Sequence, residues 1–174
     1  MNANNRVILE ISGRIARIIL NSKPENRLTV RDLNELFFFI DKIEKDRKVE
    51  IVLVQSRVDG YFCAGIEPDE RKKLSAGEIC KAGQLFFVHL SSLSRPTISV
   101  VRGKILGDGI MFVLATDIAI ASENSSFQIT EPRMKALTAW GTSQWLPRQI
   151  GKNRALELAL TGREIGAQKC LEIG

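Results

Sequence analysis

Two glycine-marked corners are the parts of this sequence best suited to chemistry. The first, Tyr61-Phe62-Cys63-Ala64-Gly65, follows the apolar run Ile51-Val52-Leu53-Val54. The second, Arg102-Gly103-Lys104-Ile105-Leu106-Gly107-Asp108-Gly109, follows Thr97 to Val101 and opens an apolar segment. Glycine permits close backbone approach and unusual dihedrals. The first amides of a helix are unpaired donors carrying partial positive charge. Brought together, two such corners offer two N–H groups to one oxygen, which is an oxyanion hole for acyl chemistry.

Other chemistry is poorly supplied. The spacing of Gly103, Gly107 and Gly109 fits neither GxGxxG nor GxxxxGK[ST], the two phosphate-cradling loops. Ser143 lies in GTSQW rather than GxSxG, and His89 is the only histidine. A Ser-His-acid triad must use His89 or not exist, and His89, on a predicted helix over 76–93, reads as a structural or surface residue. Cys63 has the chemistry of a nucleophile, but beside Ala64 and Gly65 it reads as a small buried thiol. Cys63, Cys80 and Cys170 are odd in number and widely spaced, which argues against a disulfide framework or a metal site and fits a reducing cytoplasm.

The elements that must position these corners follow from hydrophobic spacing. Residues 7–20 alternate, break at Ser12-Gly13 and resume, giving strand, turn, strand. Thr29 with Asp32 marks a helix start of capping-box type, and Val30, Leu33, Phe37, Ile40 and Ile43 continue at helical spacing. Ile51–Val54 predicts a strand covered on both faces. Thr97–Val101 and Ile118–Ala121 predict further strands, Gly107–Ala115 an apolar helix, and the segment past Thr142 mostly helix. Alternating strands and helices imply an α/β architecture with a largely parallel sheet. The 174 residues, 44% hydrophobic and 26% charged, suit one domain over 1–174. No apolar run reaches the about 18 residues of a bilayer span, and no secretory signal is visible. The charge of +5 is scattered among acids, and one Tyr with two Trp is a poor platform for bases, so neither nucleic acid nor membrane is expected as a partner.

Taken in order, RIARIILNSKPENRLT, YFCAGIEPDE, RPTISVVRGKILGDG, ATDIAIASENSSFQITEP, WLPRQIGKNRALELALTGREIGA and KCLEIG resemble the enoyl-CoA hydratase/isomerase, or crotonase, superfamily along nearly the whole chain. The resemblance implies the ClpP/crotonase spiral of repeated strand-strand-helix units. It implies an acyl-CoA substrate, with coenzyme A entering as part of that substrate, no separate cofactor and no metal. It also implies that the amides of Ala64 and Asp108 polarise the thioester carbonyl, with Cys63, Gly65, Ile66, Gly107 and Met111 around the substrate. Lys23 and Arg27 would hold the nucleotide phosphates or be ordinary surface charge. A trimer or hexamer is the implied assembly.

Three departures qualify the resemblance. Family hydratases use two glutamates. Counting along LGDGIMF places Met111 at the first position, and counting along FQITEP places Glu131 at the second, so one carboxylate is missing. A single carboxylate suits moving a double bond better than adding water, which favours isomerisation. The alternatives are a non-catalytic CoA-binding or interaction relative, and a hydratase or thioester hydrolase using a substitute acid such as Glu67 or Asp69. Asp108 stands where a small residue is usual, and is expected to cap the helix; a role as substitute acid is the second reading. Finally, the helices that family members carry beyond LTGREIGAQKCLEIG are absent from the sequence, which reads as a fragment or a short form.

Overall fold

The computed structural model describes residues 5–174. The first hairpin pairs β1 (Val7–Ser12) with β2 (Ile15–Leu20), and α1 (Val30–Lys45) crosses to β3 (Ile51–Ser56) and the short β4 (Tyr61–Cys63). Helices α2 (Pro68–Lys73) and α3 (Ala76–Ser91) lead to β5 (Thr97–Val101) and β6 (Lys104–Leu106). A 3₁₀ turn at Gly107–Ile110 then runs into α4 (Met111–Leu114), β7 (Ile118–Ala121) and β8 (Ser126–Gln128). After a second 3₁₀ turn at Glu131–Met134, α5 (Thr142–Ile150), α6 (Lys152–Thr161), β9 (Ile165–Gly166) and α7 (Ala167–Ile173) complete the described chain.

The strands form two sheets, ordered β1-β2-β3-β5-β7 and β4-β6-β8-β9. Only the β1–β2 and β8–β9 pairs are antiparallel. After the β1–β2 hairpin, which lies wholly in the first sheet, each pair β3–β4, β5–β6 and β7–β8 gives one strand to the first sheet and the next to the second. This is the strand-strand-helix spiral that the resemblance implied.

Local chemistry sets the ends of these elements. The capping box at α1 forms, with Asp32 N–H donating to Thr29 Oγ1 at 3.1 Å and Thr29 N–H to the Asp32 carboxylate at 2.7 Å. A second box, Ser75 with Glu78, starts α3. The apolar segment 107–115 is not one helix: Gly107 has φ +55°, and a 3₁₀ turn precedes a single α-turn. Nor is β3 covered on both faces. Val52 and Val54 are buried with Ala16 and Ile18 of β2, whereas Arg17, Leu53, Ile98 and Ile118 align on the other face and are half-buried or exposed. That face lacks a covering helix layer among the described residues.

The core is aromatic where it meets the second corner. Phe112 lies 4.9 Å from Phe87, 5.7 Å from Phe86 and 6.1 Å from Phe62 between ring centroids, and Trp140 lies 5.5 Å from Phe87. Trp140 seats against Gly83, where a Cβ would come within 2.0 Å of its ring.

Candidate functional site

The two glycine corners meet. Because β4 and β6 are parallel neighbours, their ends deliver Ala64-Gly65 and Gly107-Asp108-Gly109 to the same place. A Cβ on Gly65 would stand 3.2 Å from the amide nitrogen of Asp108, and one on Gly109 would stand 2.5 Å from the carbonyl oxygen of Cys63. Gly65 also has φ +77°, in the left-handed region that other residues avoid. Glycine is what lets the backbones interlock.

A buried asparagine fixes the first corner. Asn26 Nδ2 donates to Ser56 Oγ at 2.7 Å and to the carbonyl of Phe62 at 3.0 Å, and its Oδ1 accepts from Ser22 N–H at 2.6 Å. The N–H of Ala64 points at the Asn26 carbonyl, 3.4 Å away. Leu28 forms a parallel bridge with Ile66, its N–H donating to Gly65 and its carbonyl accepting from Glu67. In that pattern the Ile66 N–H faces away from Leu28, and it has no acceptor among the described residues. At this corner it is therefore Ile66, rather than Ala64, whose amide is left without an acceptor among the described residues. Asn26→Ala leaves several buried partners unmet and is expected to cost about 2–3 kcal/mol, readable as a lower denaturation midpoint.

Two carboxylates and one guanidinium occupy the floor of the site. Glu131, 2% exposed, begins the 3₁₀ turn after β8. Gly107 makes room for it, since a Cβ there would lie 2.6 Å from Glu131 Oε1. Burial, and then the charge of Asp108, push the Glu131 carboxyl up to about 7. Its Oε2 is buried without a partner among the described residues. Asp108 does not cap its turn. Its buried carboxylate accepts Ala139 N–H at 2.6 Å and pairs with Arg71 Nη2 at 2.8 Å. The reason is geometric: a 3₁₀ turn at a sheet corner aims this side chain across the site toward α2 and the 139–140 loop. Burial raises the Asp108 carboxyl, and the Ala139 amide and Arg71 oppose that rise. Arg71 also lies 3.9 Å from Glu131 Oε1.

Known proteins resemble this chain in sequence and in fold. The family model for enoyl-CoA hydratase/isomerase matches residues 10–174. The chain belongs to the enoyl-CoA hydratase/isomerase family. It is 34% identical to the short-chain-enoyl-CoA hydratase of Clostridium acetobutylicum, over 98% of this chain and 67% of that protein. It is 30% identical to mouse mitochondrial methylglutaconyl-CoA hydratase, over 95% of this chain and 54% of that protein. The crystal structure of an enoyl-CoA hydratase from Bacillus anthracis superposes with a TM-score of 0.91 at 29% identity, covering 98% of this chain and 68% of that one. The chain thus spans from about half to two thirds of the length of these relatives.

Within this family member the remaining expected residues divide. Met111 is fully buried in the hydrophobic core, one turn past Asp108. Cys63 is buried, and burial pushes its thiol up to about 12, which removes it as a nucleophile. Arg27 is committed to Glu25 at 2.8 Å and to the Ala64 carbonyl at 3.2 Å, so it braces the corner, while Lys23 stands exposed on the same loop. Glu67 lies 3.5 Å from Arg6, and Asp69 pairs with Lys72 on the surface. His89 is exposed, with its Nδ1 2.7 Å from the Leu85 carbonyl. Ser143 is exposed, and no triad forms among the described residues.

The sequence reading placed Ile66 around the substrate but not as an amide donor, and it missed Arg71. Only the Leu28 bridge distinguishes the Ile66 amide from that of Ala64. Arg71 was hidden in the charged run PDERKK. A signal for it existed, since an Asp in an apolar segment demands a buried cation or several donors.

Proposed function

We propose that this protein isomerises enoyl-CoA thioesters, moving a double bond from the 3- to the 2-position through an enolate. The observation that carries the reading is Glu131: a buried carboxyl, raised to about 7, with one oxygen unpartnered and the Asp108 backbone amide beside it. The thioester oxygen takes the N–H groups of Ile66 and Asp108. Glu131, ionised, removes a proton from the α-carbon and the electrons move onto that oxygen. Returning the same proton at the γ-carbon re-forms the thioester carbonyl with the double bond conjugated. Each amide contributes about 2.7–4 kcal/mol to the transition state. Lys23, exposed on the loop before α1, is offered as a contact for the nucleotide phosphates.

Hydration, the activity in the names of the relatives above, needs a second group to position and activate water. Met111 cannot serve, and the Asp108 carboxylate is occupied by Ala139 and Arg71. Purified protein given a 3-enoyl-CoA should generate the conjugated thioester absorbance, and given a 2-enoyl-CoA should show little loss of it. Hydration as fast as isomerisation overturns the reading. The pH dependence is a separate test: the base must be ionised, so kcat/KM should rise through pH about 7 to a plateau. A bell with a second, descending limb would require a second titrating group and count against a single base.

A further inference from the structure

Arg71 stands out because nothing in the packing of its own helix accounts for its position. α2 has no buried residue, and of its three basic residues Lys72 pairs with surface Asp69 and Lys73 is exposed. Arg71 alone turns inward, its side chain 27% exposed against a fully buried Asp108 carboxylate. Asp108 in turn is an awkward residue for the chemistry above. Its amide faces the place where enolate charge develops, and an unbalanced carboxylate on the same residue would oppose that charge. One guanidinium, 2.8 Å from Asp108 and 3.9 Å from Glu131, serves both acids. The charged groups that face Glu131 are Asp108 from the 3₁₀ turn and Arg71 from α2, with the Thr130 hydroxyl as the nearby uncharged polar group.

We propose that Arg71 is a positioning residue whose guanidinium cancels the Asp108 charge at the oxyanion site and beside Glu131, so that the two residues are functionally dependent on each other. This rests on the isomerase reading for its consequence in turnover, but the charge balance can be read without substrate. With Arg71 in place and Glu131 protonated the three groups sum to zero. When Glu131 ionises to act as base, Arg71 leaves a single net negative charge; without Arg71 there would be two.

The test uses Arg71→Gln, Arg71→Lys, Asp108→Asn and the Arg71→Gln/Asp108→Asn pair. Asparagine keeps the backbone amide and an acceptor for Ala139 N–H. Glu131 is titrated by carboxyl-carbon NMR in each variant, and steady-state kinetics are measured on a 3-enoyl-CoA. Arg71→Gln should move the Glu131 midpoint upward by about one pH unit or more and lower kcat about tenfold or more, with KM changed less. Arg71→Lys should recover part of both. Adding Asp108→Asn to Arg71→Gln should bring the midpoint back down and restore much of kcat. A purely structural Arg71 would instead lose activity with no change in the titration, and the pair would be worse than either single variant; either result overturns the proposal. Turnover absent in the unaltered protein while the midpoints move as described refutes the isomerase reading and leaves the charge balance standing.

Discussion

Glu131→Gln should lower turnover of a 3-enoyl-CoA by about 10²–10⁴-fold, the usual contribution of a positioned acid or base. The substitution is nearly isosteric, and it removes the group whose Oε2 lies buried without a partner, so the variant should fold. Its stability should also respond to pH differently. The Glu131 carboxyl is raised from 4.5 to about 7 in the folded protein, so the unfolded chain releases this proton first. The group's contribution to stability is full below about 4.5 and is lost as pH rises through about 7. In Glu131→Gln that part of the decline disappears, which melting curves across the interval would show. Turnover within a few-fold of the unaltered protein would remove Glu131 from the mechanism, whereas no turnover by the unaltered protein, with binding retained, would favour the non-catalytic alternative for this chain.

Gly109→Ala is expected to have the second large effect, for a different reason. No left-handed dihedral is involved, so the cost is purely steric: the new Cβ would lie 2.5 Å from the Cys63 carbonyl oxygen and 3.0 Å from its carbonyl carbon. Backbone cannot rotate aside as a side chain can, so β4 and the Gly107–Ile110 turn must separate. Overpacking of this kind costs about 1–3 kcal/mol. The separation also pulls the Ile66 and Asp108 amides apart. Losing one oxyanion donor is worth about 10²–10³ in kcat, so activity should fall well beyond what the loss of stability explains. Comparing kcat at a temperature where both proteins are folded separates the two effects. Unchanged kcat would mean that the corner contact does not set the amide geometry.

Much of this was legible because the physics is local. Thr29 and Asp32 specify a helix start by spacing alone, and the glycines at 65, 107 and 109 mark backbone positions that tolerate no side chain. The order of the segments was enough to indicate the spiral. What stayed hidden depends on partners far apart in sequence. The second sheet is built from strands of three residues or fewer, too short to show any alternation. Asp108 looked like a cap because caps are the common fate of Asp near a helix start, and its real partners sit 37 residues before it and 31 after it. Strand β3 read as fully enclosed because an apolar run cannot say whether one of its faces lacks a covering layer.

The lone oxygen on Glu131 has a bearing on how the molecule behaves between encounters with a ligand. A buried polar atom that no group of the fold meets costs the protein stability. Whatever molecule finally meets that oxygen should leave the whole fold harder to unravel.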